Sequence, residues 1–171
     1  MTISGEMIEI KPVDFPADLD VSVKIIREAF TKVTEEFKLT VDNCPSNPAF
    51  IESDILLHQL TEYRELYLLY NNSVAQGFIA IEKSLNESGT YYIEKVAVLP
   101  EYRHKGLGKR ILQFAQDRIT QSGGIIASIA IIDENIRLKD WYKSLGFKET
   151  GIRKFDHLPF TVCFMKKQLR S

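Results

Sequence analysis

Residues 101 to 110, EYRHKGLGKR, place two glycines and five basic side chains in ten positions, directly after the strand-like run YYIEKVAVLP. Glycine lets a backbone approach a ligand closely, and free N–H groups at a helix start point at an anion with the helix dipole behind them. Such a turn suits a phosphate, to which Arg103, Lys105 and Lys109 can add charge. Two common phosphate loops are excluded by named residues. A dinucleotide loop, GxGxxG, needs a third glycine where Ile111 stands. A P-loop needs glycine at 103 and Ser or Thr at 110, and both positions hold arginine. What remains is Arg103-x-x-Gly106-x-Gly108 after a strand ending in Val-Leu-Pro.

The flanking elements must position this turn. Leu107, Ile111, Ala115 and Ile119 recur at helical spacing and predict a helix over about 106 to 122, stopped by Gly123 and Gly124. IIASIAII (125 to 132) lacks polar alternation, as expected of a strand buried on both faces. Leu138, Trp141, Tyr142 and Leu145 form one face of a helix over 134 to 145, for which Asp133 is the candidate N-cap. Strands near 147–155 and 160–167 close the chain. Upstream, EMIEIKPV reads as a first strand, and Ile26, Phe30, Val33 and Phe37 mark a helix from 18 to 38. Asn47 and Pro48 then make a cap and first-turn pair for a second helix running to about 61. ELYLLY, VAQGFIAIEK and TYYIEKVAVL read as three antiparallel strands joined by the turns NNS and SLNESG. The order is βααβββαβαββ, an α/β fold of α+β type with a mixed sheet, in one domain spanning 1–171.

Composition narrows the function classes. The 171 residues carry a net charge of −1, 44% hydrophobic and 26% charged residues, ordinary globular values. A protein devoted to nucleic-acid backbone is usually strongly basic, so no nucleic-acid partner is expected. The start, MTISGEMIEIK, has no apolar leader core, and the longest apolar run is far short of the ~20 residues a membrane span needs. A soluble, unexported, cytoplasmic chain without membrane partners is expected. Cys44 and Cys163 show no CxxC spacing, and with only His58, His104 and His157 no metal site is expected. Cys44, with no basic partner evident, reads as a loop residue.

VAVLPEYRHKGLGKRIL resembles the R/Q-x-x-G-x-G/A pyrophosphate motif of the GNAT superfamily of acetyl-CoA-dependent N-acetyltransferases. NIRLKDWYKSLGF resembles a later segment of the same family, with Asn135, Tyr142 seven residues on, and Gly146-Phe147 ending the helix. The resemblance covers about residue 74 to the end. It implies that two central parallel strands, here 90–99 and 124–132, splay apart in a mostly antiparallel sheet. Acetyl-CoA, the acetyl-donor substrate, would lie between them like an added strand along Val96, Ala97 and Val98. Its pyrophosphate would rest on the N–H groups of Arg103, His104, Lys105, Gly106, Leu107, Gly108 and Lys109, with Asn135 and Tyr142 also at the cofactor. The acceptor implied is a primary amine, on a small molecule or a peptide, chosen by segments near 30–60 and 153–160. Glu35, Glu36 and Asp42 suit a cationic acceptor and equally an ordinary solvated surface. Homodimers are common in the family.

Aminolysis of a thioester sets three tasks. The oxyanion needs a preorganised donor, for which the resemblance offers the Val98 N–H. Losing such a donor typically costs roughly 3 to 4 kcal/mol of barrier. The departing sulfur needs a proton or hydrogen bond, assigned to Tyr142, while Trp141 is read as core. Deprotonation of the ammonium falls to Glu94, with Tyr92, His157 or a water chain as alternatives, because the position used by another subgroup holds Ala130. Glu94 also reads as a solvated strand residue paired with Lys95 or Lys83, and His157 as a loop residue. A rival reading is an acyl-CoA-binding sensor or partner module without turnover. Gly108→Val is expected to weaken coenzyme A binding more than Lys105→Ala in calorimetric titration, because the N–H groups outweigh the side-chain charges.

Overall fold

The computed structural model describes residues 5–169, so part of the stretch read for a leader and the outer ends of the 1–171 domain lie outside the described residues. Seven strands form one sheet in the order β1-β2-β3-β4-β5-β7-β6. They are β1 (Ile8–Pro12), β2 (Arg64–Asn71), β3 (Val74–Lys83), β4 (Thr90–Val98), β5 (Ile126–Ile132), β6 (Lys148–Lys154) and β7 (Thr161–Gln168). Every neighbouring pair is antiparallel except β4 with β5. That is the mixed sheet with one central parallel pair that the motifs imply.

Helices cover both faces, because the strands between them are apolar on both. Helix α1 (Leu19–Phe37) turns Ile25, Ile26 and Ala29 inward against Leu66, Leu68, Phe78 and Ala80 of one face. On the other face, α3 (Leu107–Gln121) buries Leu107, Ile111, Leu112, Ala115 and Ile119 against Leu69, Ile79, Ile81 and Ile93. Helix α4 (Ile136–Ser144) joins that second core through Tyr142, with Phe147 just after it.

Two local expectations differ from the structure. Asn47 does cap a turn, accepting the Ala49 N–H at 2.9 Å, but the turn is a 3₁₀ segment, Pro48–Phe50, that ends at once. Ile51 is extended and buried in the first core, so its anchoring breaks the expected helix, and α2 spans only Ser53–Gln59. The cap of α4 is Asn135, whose Oδ1 accepts the Leu138 N–H at 3.3 Å, and not Asp133. Asp133 is instead ion-paired with the buried ammonium of Lys139, which also holds Glu149 at 3.1 Å. These contacts draw the Glu149 carboxyl down to about 2 and raise Lys139. Asp133, Glu149 and Cys163 converge as potential metal ligands, yet the Lys139 cation already supplies the positive charge there.

The start of β5 is fixed by a close approach. A Cβ at Gly124 would fall 2.4 Å from Ile119 and 2.7 Å from the Tyr91 ring. Gly124→Ala is therefore expected to lower stability by about 1–3 kcal/mol, read as an earlier midpoint in urea unfolding, whereas Gly151→Ala, with nothing within 4 Å, leaves the midpoint nearly in place.

Candidate active site

The central parallel pair comes apart where the motifs require. Strands β4 and β5 pair only at Thr90↔Ile126, Tyr91↔Ala127 and Tyr92↔Ser128, although β4 continues to Val98 and β5 to Ile132. Beyond Tyr92 a gap opens in the middle of the sheet. Accessibility follows it: Val96 and Val98 are only half-buried and Ala130 is exposed, although both strands are internal. The Leu99 N–H bonds back to Gln76 of β3 at 2.9 Å. Backbone groups alternate in direction along a strand, so Val98 presents its N–H to the gap.

A bulge shapes the gap. The β3–β4 register shifts between Phe78 and Ala80, and Lys95 takes up the extra residue with φ +52°. Glycine is usual at such a left-handed bulge position, and a lysine there costs of the order of 1 kcal/mol or more.

At the far end of β4 the glycine turn forms a concave run of N–H groups. His104 and Gly106 both have positive φ, +63° and +81°, the alternation that gathers successive N–H groups into an anion-binding nest. The first helical bond of α3 runs from Arg110 N–H to Gly106 O at 3.1 Å. The N–H groups of Leu107, Gly108 and Lys109 therefore have no partner within the helix. His104, Lys105, Gly106 and Lys109 are exposed around them.

Arg103 departs from the expectation of a phosphate contact. Its N–H bonds Pro100 O at 3.3 Å, its Nε bonds Val98 O at 3.3 Å, and its Nη2 bonds the Ala29 carbonyl of α1. Half-buried, this guanidinium ties the end of β4 to α1. Gly108 has no left-handed φ, and a Cβ there would sit 3.5 Å from the Trp141 ring, an ordinary contact. The fold alone thus does not demand glycine at 108. The same contact brings α4 to the start of α3, so the two motif segments meet in space.

The side chains read as reactive lie on β4, on and just before α4, and in the β6–β7 turn. Tyr142 is 5% exposed, with Trp141 and Phe147 edge-on to its ring at 4.9 and 5.4 Å. Burial alone pushes its phenol above the usual range, so it stays protonated and can donate. Asn135 spends its Oδ1 on the α4 cap. Tyr92 lies at the last paired position, its hydroxyl 3.3 Å from Ser84 Oγ. His157 sits in the β6–β7 turn against Phe155.

Glu94 stands in a charged cluster. Arg64 lies 2.7 Å from Glu82 and 3.5 Å from Glu94, and Lys95 is 3.7 Å from Glu94. Burial raises the Glu94 carboxyl, with Lys95 and Arg64 opposing and Glu82 reinforcing, and burial lowers the Lys95 amine. Both shifts favour neutral forms. Of the partners named from sequence, Lys95 is present. Arg64 and Glu82 are new, and only the register Arg64↔Glu82 and Ala80↔Glu94 brings them together.

A sequence model of the acetyltransferase (GNAT) family matches residues 27–147. The chain belongs to this family. Among solved structures, the ribosomal-protein-S18-alanine N-acetyltransferase of Escherichia coli superposes with a TM-score of 0.76 at 18% identity, over 96% of each chain. An N-acetyltransferase of Thermoplasma acidophilum, solved with coenzyme A, has a TM-score of 0.69 at 19% identity over 95% of this chain and 99% of its own. Likeness at this identity establishes the shared fold. Bovine thialysine N-epsilon-acetyltransferase is 30% identical over 76 residues, which is 44% of this chain and 45% of the bovine protein. The match thus spans less than half the length of that curated relative. No described helix is long and apolar enough to cross a membrane.

Within this GNAT fold Arg103 is a tether. Arg103→Ala is expected to lower stability by about 1–3 kcal/mol by leaving the Val98 and Ala29 carbonyls without their donor, followed by thermal unfolding. Lysine is expected not to rescue it, since it lacks the planar fork.

Proposed function

We propose that this chain transfers the acetyl group of acetyl-CoA to a primary amine, on a small molecule or a peptide, by direct attack. The observation that carries the reading is the end of β4–β5 pairing at Tyr92↔Ser128, beside a turn whose N–H groups face outward. The gap suits an extended polar arm that pairs with strand backbone as an added strand would. The turn suits the two phosphates at the end of that arm. Acetyl-CoA has both parts, and its thioester supplies an activated acyl carbon.

The residues divide the work as follows. The Val98 N–H, turned to the gap, donates to the carbonyl oxygen as charge develops there, a dipole already in place. Glu94, its affinity for a proton raised by burial, takes the proton that the ammonium must lose before it can attack. Tyr142, protonated at any physiological pH, donates a hydrogen bond to the leaving sulfur. Val96 and Ala97 line the arm together with Val98, and Asn135 sits at the opposite strand end with its amide nitrogen free of the capping role. The acceptor enters over Glu82, Glu94 and α1, the face opposite α3 and α4.

The test is release of free thiol from acetyl-CoA against a panel of small amines, peptides and amino-group antibiotics. One class is expected to turn over, and Tyr142→Phe is expected to lower kcat on it by about 10²-fold or more, with coenzyme A affinity nearly unchanged. Tight binding of acetyl-CoA without turnover on every class would favour an acyl-CoA-binding module. No thermal stabilisation by any CoA ester would overturn the reading, since ligand at ~100 times its Kd adds about 2.7 kcal/mol.

A further inference from the structure

We infer that Lys95 is itself an acyl acceptor, so that the chain acetylates its own β4 strand when acetyl-CoA is bound and no better amine is present. This rests on the reading of the gap as the acetyl-CoA site. The cradle lies at residues 104–109, past the end of β4, so an arm seated there and paired with β4 runs back from Val98 towards the bulge. Lys95 begins only three residues, roughly 10 Å of strand, from Val98. It lies in the bulge itself, with φ +52°, a backbone state that a lysine rarely adopts.

The surroundings of this amine differ from those of the other paired lysines. The Lys95 side chain is 13% exposed, against 60% for Lys11, 46% for Lys143 and 35% for Lys166. Lys139 is as buried, but two carboxylates grip its ammonium and hold it charged. Lys95 has one carboxylate at 3.7 Å, Glu94, which is shared with Arg64. The groups facing it are thus Glu94 on its own strand, Glu82 on β3 and Arg64 on β2. Burial lowers the Lys95 amine and raises the Glu94 carboxyl, and both shifts act in the direction of the neutral amine that attack requires.

The step balances with the thioester as sole co-reactant. The Lys95 Nζ lone pair adds to the acyl carbon, the C–N bond forms and the C–S bond breaks. The electron pair of that bond leaves on sulfur as coenzyme A thiolate, which takes a proton from the medium. The Lys95 nitrogen loses two protons in all, one before attack and one after it has added, and each leaves through Glu94 to water. The product is Nε-acetyl-Lys95, which carries no charge, so Glu94 loses one of its two cationic neighbours.

The experiment incubates the full chain with acetyl-CoA and no added amine, then reads intact mass and peptide maps over time, with thermal unfolding of the same samples measured in parallel. The expected result is one acetyl group per chain, mapped to Lys95. It should form at least tenfold faster than at exposed Lys148 in the same molecules, and faster than at Lys95 in urea-unfolded chain. Glu94→Gln should slow it, and in Lys95→Arg the mass gain should be lost while acetyl-CoA still raises the unfolding temperature. A clear thermal shift with Lys95 unmodified, or modified no faster than Lys148, overturns the proposal and leaves the acetyltransferase reading standing. No thermal shift and no modification overturns both.

Discussion

The rest of the site depends on an unmade set of hydrogen bonds. A sheet interior normally pairs its backbone N–H and C=O groups, because an orphaned one costs free energy on the order of 1–3 kcal/mol. Here two central strands pair at three positions and then diverge, leaving β4 from Ile93 to Val98 without its β5 neighbour. The structure around the gap keeps it open. Strand β5 is held from the other side along its full length by β7, from Ile126↔Gln168 to Ile132↔Val162. Strand β4 is held by β3 up to Gly77↔Val98 and by Arg103 beyond it. Each edge of the gap is anchored away from the other, so neither strand can close it.

The proposed reaction would make the reacting centre largely a property of backbone. In it the donor for the oxyanion, the pairing surface for the acyl carrier and the phosphate nest are all main-chain groups, positioned by a register that stops, a bulge at Lys95 and two positive φ values at His104 and Gly106. Side chains enter at its margins, with Tyr142 of α4 in the core it shares with Ile129 of β5 and the Arg64–Glu82–Glu94–Lys95 cluster on the α1 face. The two groups differ in environment. Tyr142 is buried among aromatic rings and keeps its proton, whereas the charged cluster balances two carboxylates against two cations, and burial pulls one of each towards neutrality.

The sequence made the element order and the glycine turn legible, because each has a local signature, period-3.6 apolar spacing and glycines at fixed offsets, whereas the parallel pair was implied only by the family resemblance. It misread Asn47-Pro48 as the start of a long helix, since burial of Ile51 decides that segment and burial is not local. It gave Asp133 the capping role of Asn135, because the Lys139 ammonium that claims Asp133, and holds Glu149 as well, leaves no mark in the local spacing. Arg103 looked like a phosphate ligand for the same reason: its partner Ala29 lies 74 residues upstream. Arg64 and Glu82 carried no motif at all. They join Glu94 only through strand register, which one added or lost residue in either hairpin turn would change.

The sheet order also has a meaning for how the chain is wired. β1 to β4 pair in sequence order, and β5, β7 and β6 form a second set from the last third of the chain. Each set is closed by antiparallel neighbours, while the joint between them is a three-residue parallel seam reached by crossing over α3. Strands β5 and β7 pair at seven positions and β4 and β5 at three, so this seam is the weak join between two plates. A ligand lying in the gap touches both plates at once. Such a ligand would act as a rivet across the seam, and its occupancy would lend the fold a cohesion that its own hydrogen bonds leave unfinished.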